Sequence, residues 1–244
     1  FFVCKSELRL TLQSFLLNNT FVKEISGLSF VTLARQGVIA VLTILINNIL
    51  IRVGDAIDVA SYGIISRALM FALFPVIGVN QGFMPIAGYN YGAKKLQRVR
   101  EAINISIKYS GILALLIFTL IMLFAESFVG VFISDKAIEA NNIRDNIALL
   151  ERTPNALRWV FAATPVIVIQ LIGCSYFQAI GKVTPALLLS LTKQGFFLIP
   201  LILILPTYFG VWGVWVSFPI ADVCSTLVTG YFLRRAIKHD LTKT

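Results

Sequence analysis

Six apolar stretches, each long enough to cross a lipid bilayer, constrain this chain more than any other feature of its sequence. A helix needs about 20 mostly apolar residues to cross a hydrocarbon layer roughly 30 Å thick. Such stretches run approximately from Ser29 to Val53, Val59 to Phe83, Ile107 to Ser134, Arg158 to Ile180, Pro185 to Phe209 and Val211 to Leu233. The third exceeds one bilayer thickness and should tilt or extend into an interface. Composition agrees. Of 244 residues, 57% are hydrophobic and 14% charged, against about 25% charged in soluble domains, and the mean hydropathy is +0.84. A water-soluble fold is close to excluded. The expected class is all-α: a polytopic membrane protein with six transmembrane helices.

The segments between spans carry the charge, a net +9 from 21 Lys and Arg against 12 Asp and Glu. Lys5, Arg9 and Lys23 precede the first span, and Lys94, Lys95, Arg98 and Arg100 separate the second from the third. Lys182 lies between the fourth and fifth, and Arg234, Arg235, Lys238 and Lys243 follow the sixth. In an in–out alternating chain these segments share one side. The other side holds Asp55 and Asp58, the short 206–210 turn, and a loop at 135–154 that mixes both signs. The basic bias predicts both ends of the chain in the cytoplasm of a multi-pass inner-membrane protein. Anionic lipid headgroups are then the natural partner of the basic loops, and nucleic acid a poor second.

Residues 1–28 interleave Leu and Phe with polar residues and read as a cytoplasmic interfacial helix or connector. Residues 29–233 form the transmembrane unit, and residues 234–244 a basic cytoplasmic tail. The stretch Asn141–Asn146 is expected as a short helix on the outer surface. The start at Phe1 without a signal-peptide pattern suggests a fragment. Cys4, Cys174 and Cys224 lack metal-site spacing, and the single His239 lies in the polar tail. No metal site, no disulfide framework and no cofactor is expected. There is no phosphate-cradling glycine loop, no HExxH and no nucleophile elbow, so no catalytic residue is assigned and the chain does not read as an enzyme.

Ionisable residues inside a bilayer are costly and are functional candidates by default. Here they are Arg35, Arg67, Lys193 and Asp222, with Lys108 and Glu126 near enough to span ends to reach an interface. Asp222 is the only carboxylate near the middle of a span. The fifth and sixth spans are joined by Pro206-Thr207-Tyr208-Phe209-Gly210, a tight antiparallel hairpin. Lys193 lies fifteen positions before Tyr208 and Asp222 fourteen after it, so both fall roughly 21 Å from the turn. An intramembrane ion pair is possible if the helix faces agree, with a packing role and a transport role equally weighted. Amides recur nearby: Gln36 beside Arg35, Gln194 beside Lys193, Asn47 and Asn48 in the first span, and Gln170 and Gln178 eight apart on the fourth. They suit a cavity for varied ligands, and individually they suit helix–helix hydrogen bonds better. Pro75, Pro165, Pro200 and Pro219 can bend spans and open a cavity. Tyr176, Phe177, Phe196 and Phe197 can supply aromatic walls or plain packing.

The run Pro75-Val-Ile-Gly-Val-Asn-Gln81-Gly-Phe-Met-Pro85-Ile-Ala-Gly-Tyr89-Asn-Tyr-Gly-Ala93-Lys-Lys, followed by a basic amphipathic stretch through Arg98 and Glu101, resembles the signature of the multidrug and toxic compound extrusion (MATE) family. A second block is similar to that family's eleventh and twelfth helices: Lys193-Gln-Gly-Phe-Phe-Leu-Ile-Pro200, then Gly210-Val-Trp-Gly-Val-Trp-Val-Ser-Phe-Pro219-Ile-Ala-Asp222. In the family Arg is commoner than Lys at position 193. The resemblance implies the second six-helix lobe of a twelve-helix transporter that exports cationic, amphiphilic compounds in exchange for H+ or Na+ by alternating access. The N-terminal lobe would then be the missing partner. Some members carry coupling carboxylates on the helices that match the first and fourth spans, where this chain has none. That departure resembles the branch related to DNA-damage-inducible protein F, and implies a coupling acid on the other lobe. Gln36, Asn47, Asn48, Gln170, Tyr176, Gln178, Lys193, Gln194 and Asp222 are the pathway candidates. A lipid-linked precursor flippase of the same superfamily is the alternative. It requires a strongly cationic cavity, for which only Arg35, Arg67 and Lys193 are available.

Overall fold

The structure is a computed structural model and describes residues 19–133 and 143–240. Every regular element in them is helical. In order they are α1 (Asn19–Val53), α2 (Ala56–Gly92), α3 (Leu96–Ile133), α4 (Ile143–Phe161), α5 (Thr164–Ala179), α6 (Val183–Leu191), a π-helical turn (Thr192–Leu198), α7 (Ile199–Phe209) and α8 (Val211–Asp240). Five helical stretches among these residues are long and apolar enough to cross a membrane, α6 through α7 counting as one, and the bent pair α4–α5 makes a sixth.

The fourth span is bent, as Pro165 allows. It is not a continuous helix from Arg158 to Ile180. It breaks at Ala162–Ala163, and its two parts meet at 48°. The cause is Pro165 in the first turn of α5. Proline has no N–H to give the carbonyl four residues back, and its ring crowds that carbonyl, so a helix restarts at such a residue more readily than it runs through it. Of the short surface helix expected at 141–146, residues 141–142 lie outside the described residues, and Ile143 onward is the start of the 19-residue α4 and not a separate helix.

The other helices outrun their hydropathy limits. α1 continues upstream from Ser29 to Asn19, and residues 1–18 lie outside the described residues. α2 keeps the Pro85–Gly92 part of the signature helical, where Gly88 lies so near the Ala179 carbonyl that a methyl group there would sit 3.0 Å from its oxygen. α8 carries the basic Arg234, Arg235 and Lys238 as helix out to Asp240. Gly210, at φ 57°, makes the α7–α8 turn, and Gly213 lets α8 approach Leu205, whose carbonyl would stand 2.5 Å from any Cβ there.

Two apolar cores stack along the bundle. One fills the end that carries the Asp55 and Gly210 turns, with Ile46, Leu50, Ile65, Leu157, Phe161, Ile202 and Trp215. The other fills the end that carries Lys94 and Lys182, with Phe83, Ile103, Ile172, Tyr176 and Leu233. The first core takes Leu198 and Ala221, and the second takes Leu189 and Val168. What separates them is a level of the bundle where the sequence is polar.

Candidate functional site

That level contains Lys193 and Asp222. Nζ of Lys193 stands 2.6 Å from Oδ1 of Asp222, with side chains only 19% and 5% exposed. At that separation the contact is a charge-assisted one between ammonium and carboxylate. The antiparallel α7–α8 hairpin sets the two residues at one depth, and the π turn that carries Lys193 sets the facing. Within that turn the Ile199 N–H reaches five residues back to the Gln194 carbonyl. Pro200 follows directly, and a continuous α-helix would press its ring on the Phe196 carbonyl. Widening by one residue relieves that contact and rotates Lys193 and Gln194 relative to α6.

The break in the fourth span lies at the same level. α5 and α8 run side by side in one direction, with the Thr226 hydroxyl donating to the Val166 carbonyl at 3.2 Å. Asp222 is four residues before Thr226 and Ala163 three before Val166, so each lies about 5–6 Å further toward the Asp55 end. Ion pair, π turn and helix break therefore share one layer, between two cores. Seven residues past Ala163, about 10 Å deeper, Gln170 is buried and donates to the Leu189 carbonyl at 3.4 Å. Cys174 Sγ lies 3.5 Å from Ser190 Oγ, which donates to the Ala186 carbonyl. Arg35, half-buried on α1, stands within electrostatic reach of Cys174. π turns of this kind recur at functional sites.

The remaining candidates are scattered. Gln36 and Asn48 are exposed on α1, and Asn47 is half-buried. Gln178 is half-buried at the end of α5, far from the layer, where its carbonyl accepts the Gly181 N–H at 3.1 Å. Tyr176 is fully buried in the second core, edge-on to Phe177 at 5.1 Å. Of the other charged groups, Arg67 is exposed on α2, and Glu126 pairs with Arg158 at 3.4 Å. Among the described residues there is no group of three His, Cys, Asp or Glu side chains suited to a metal ion.

Sequence reasoning missed a second charged cluster at the Asp55 end. Asp55 and Asp58 cap α2 reciprocally, Asp55 Oδ1 accepting the Asp58 N–H at 3.1 Å and Asp58 Oδ2 accepting the Asp55 N–H at 3.2 Å. Arg152 of α4 reaches Asp55 at 3.0 Å and Asp58 at 3.8 Å. The Asp-x-x-Asp spacing is a legible capping signal. Arg152 carries no local signal, being 97 residues away. Burial pushes the Asp55 carboxyl up, but the Asp58 N–H, Arg152 and the Ile57 N–H outweigh it and hold the group below its ordinary value of 3.8.

Comparison with known proteins places this geometry. The family model MatE matches residues 33–204. The multidrug export protein MepA of Staphylococcus aureus (strain NCTC 8325 / PS 47) is 25% identical over 189 residues, covering 76% of this chain and 39% of MepA. MepA of Staphylococcus haemolyticus (strain JCSC1435) is 25% identical over 186 residues, covering 75% of this chain and 38% of that protein. Among solved structures, the MATE multidrug transporter DinF-BH is 36% identical with a TM-score of 0.74, over 95% of this chain and 48% of that one. A MATE structure in complex with MaL6 overlays with a TM-score of 0.88 at 21% identity, over 98% of this chain and 52% of that one. The chain thus spans about two fifths of the curated relatives it matches and about half of the solved chains.

Proposed function

The chain belongs to the MatE family, and from that premise we propose that it forms the second six-helix lobe of a secondary active multidrug exporter. Export is of small amphiphilic cations, in exchange for H+ or Na+, as two lobes rock between inward- and outward-open states. The partner lobe lies outside the chain described here and supplies the coupling carboxylate. The ends near Lys94 and Arg234 face the cytoplasm of a cell inner membrane, where anionic headgroups meet their basic side chains. Residues 1–28 act as the connector between lobes, and residues 234–244 as a cytoplasmic tail.

The observation that carries this reading is the polar layer between two apolar cores. A lobe that only had to be stable would gain little by keeping Lys193 and Asp222 in the middle of a bilayer, since buried ion pairs of this kind roughly break even against apolar packing. Ionisable groups at that depth ordinarily belong to substrate or ion pathways. Here the pair ties the π turn to α8 at the level where the fourth span bends. Such a joint lets helix halves move against one another while backbone polar groups stay paired. The flippase alternative is not favoured, because Asp222 neutralises Lys193 and Arg67 is exposed, which leaves the half-buried Arg35 alone to make a cavity cationic.

The test is transport by the full-length protein in proteoliposomes, with a fluorescent organic cation and imposed gradients. Movement of the dye driven by a pH or a Na+ gradient is the expected result. Indifference to both gradients, with movement of lipid pyrophosphates instead, overturns the reading. Within an active protein, Asp222→Asn reports on this layer: unchanged rate and coupling would remove Asp222 from the pathway and leave it a packing role.

A further inference from the structure

The Asp55 end holds a cavity that the polar layer does not explain. It has a volume of about 320 Å³ and opens between the first turns of α2 and α8 and the flank of α4. That is near the lower bound of small-molecule sites, roughly 300–1,000 Å³. It is lined by Trp212 and Trp215 of α8, Asp58 of α2, and Glu151, Arg152 and Asn155 of α4. Trp215 is buried at 4% exposure, whereas Trp212 is half open to the outside. The Trp212 indole also meets Trp159, edge-on at 6.0 Å and 86°. A fixed indole face is the strongest side-chain platform for a cation.

The charges of the lining do not cancel. Arg152 is engaged by Asp55 and lies within 3.8 Å of Asp58. Asp58 spends one oxygen on the α2 cap. Glu151 is exposed and has no ion-pair or hydrogen-bond partner among the described residues. Among the lining residues, Asp58 and Glu151 stand against the one guanidinium of Arg152, which leaves one negative charge over when both are ionised. An unpaired carboxylate and indole rings lining one cavity suit a flat ring that bears a positive charge. The ring covers the indoles and the charge meets Glu151.

We propose that this cavity is a binding site for a small aromatic organic cation, with Glu151 as its counter-charge, Trp212 and Trp215 as its π wall, and Arg152 as a resident cation that competes with the ligand. It is separate from the layer assigned to export, since Trp212 and Asp222 are ten residues apart on one helix, about 15 Å. Binding is the measured quantity, so failure of the export reading would leave this inference standing, and the reverse.

The experiment is calorimetric titration of the protein in lipid nanodiscs with N-methylquinolinium, and with quinoline at pH 8 as the uncharged ring of the same shape. Quinoline should bind at least tenfold more weakly. Glu151→Gln and Trp212→Ala should each weaken N-methylquinolinium binding about five- to tenfold, whereas Trp212→Phe should keep most of it. Arg152→Gln should change affinity in the opposite direction, tightening it several-fold by removing the competing charge. Glu151 and Trp212 are both exposed, so their variants test the site without unfolding the bundle. Binding at mid-depth would not respond to them. Absence of binding, equal affinity for quinoline, or unchanged affinity in both Glu151→Gln and Trp212→Ala overturns the proposal.

Discussion

Two ion pairs of similar length stand in opposite surroundings in this molecule. Lys193–Asp222 closes to 2.6 Å with side chains 19% and 5% exposed, and Arg152–Asp55 closes to 3.0 Å with side chains 53% and 47% exposed. At the Asp55 end water can replace either partner, so the pair contributes little. In the middle of the bundle nothing replaces either charge, so each residue depends on the other. The chemistry is the same and the consequence is not, because the cost of an ion lies in what surrounds it when its partner is gone.

The largest predicted effect sharpens that contrast. Asp222→Ala strands a buried ammonium and should cost about 3–5 kcal/mol, by analogy with other buried pairs broken on one side. Lys193→Met combined with Asp222→Leu should return stability close to that of the original protein. Reversible unfolding in bicelles measures both. A double variant as unstable as the single one would break the comparison, because the charges would then not be each other's reason for being there.

A smaller effect tests whether the Asp55 end is built or merely crowded. A methyl group at Gly54 would land on Asp58 Oδ2 and within 2.7 Å of a Val211 methyl. Both are side-chain atoms able to move aside. Gly54→Ala should therefore cost about 1–2 kcal/mol by disturbing the cap, an effect typical of a lost helix cap. Gly63→Ala, where no atom lies within 4 Å of the new carbon, should be neutral or slightly stabilising as a helix-propensity change. Equal costs at the two glycines would show that the cap geometry is not what Gly54 serves.

Arg152→Ala should cost less, about 0.2–1 kcal/mol, as exposed pairs do. The difference should shrink further at high salt, where exposed charges are screened. A salt-insensitive loss of several kcal/mol would erase the distinction between the two pairs. The smallest effect is a pH dependence. The Asp55 carboxyl is held below its ordinary value of 3.8 in the folded protein. Its stabilising contribution is therefore complete above that value and is lost as pH falls below it toward the lowered folded value. Melting temperatures recorded from pH 6 downward should show the original protein losing its small advantage over Asp55→Asn only below about pH 4. A growing advantage in acid would reverse the assigned sign.

The two regions also differed in how much of them could be read from the residues. Counting from the Gly210 turn was enough to put Lys193 and Asp222 at one depth, because helix rise converts sequence distance into depth at a fixed rate. The Asp55–Asp58 cap had a local pattern as well. Arg152 had none, since its partners arrive through the packing of α4 against the α1–α2 turn. The break at Ala162–Ala163 was signalled by Pro165, yet the apolar run passes through it without interruption. Hydropathy reports that a segment is apolar and is blind to whether its helix restarts. The extension of α2 to Gly92 was hidden for the opposite reason: Tyr89, Asn90 and Tyr91 look like a loop, and become helix because Ala87 and Gly88 fit against α5.

Sequence alone determined that this is an all-helical membrane chain with six candidate spans, and that Lys193 and Asp222 lie at one depth. Those facts depend on one coordinate, the distance along each span, and a bilayer sorts residues along that coordinate by polarity. Only the tertiary structure decided which faces meet: that the π turn aims Lys193 at α8, that Tyr176 is buried in a core, and that Arg152 reaches the α2 cap. Lipid tails are as apolar as leucine, so helices in a membrane choose their contacts by shape and by a few polar groups. That choice leaves almost no trace in a hydropathy pattern.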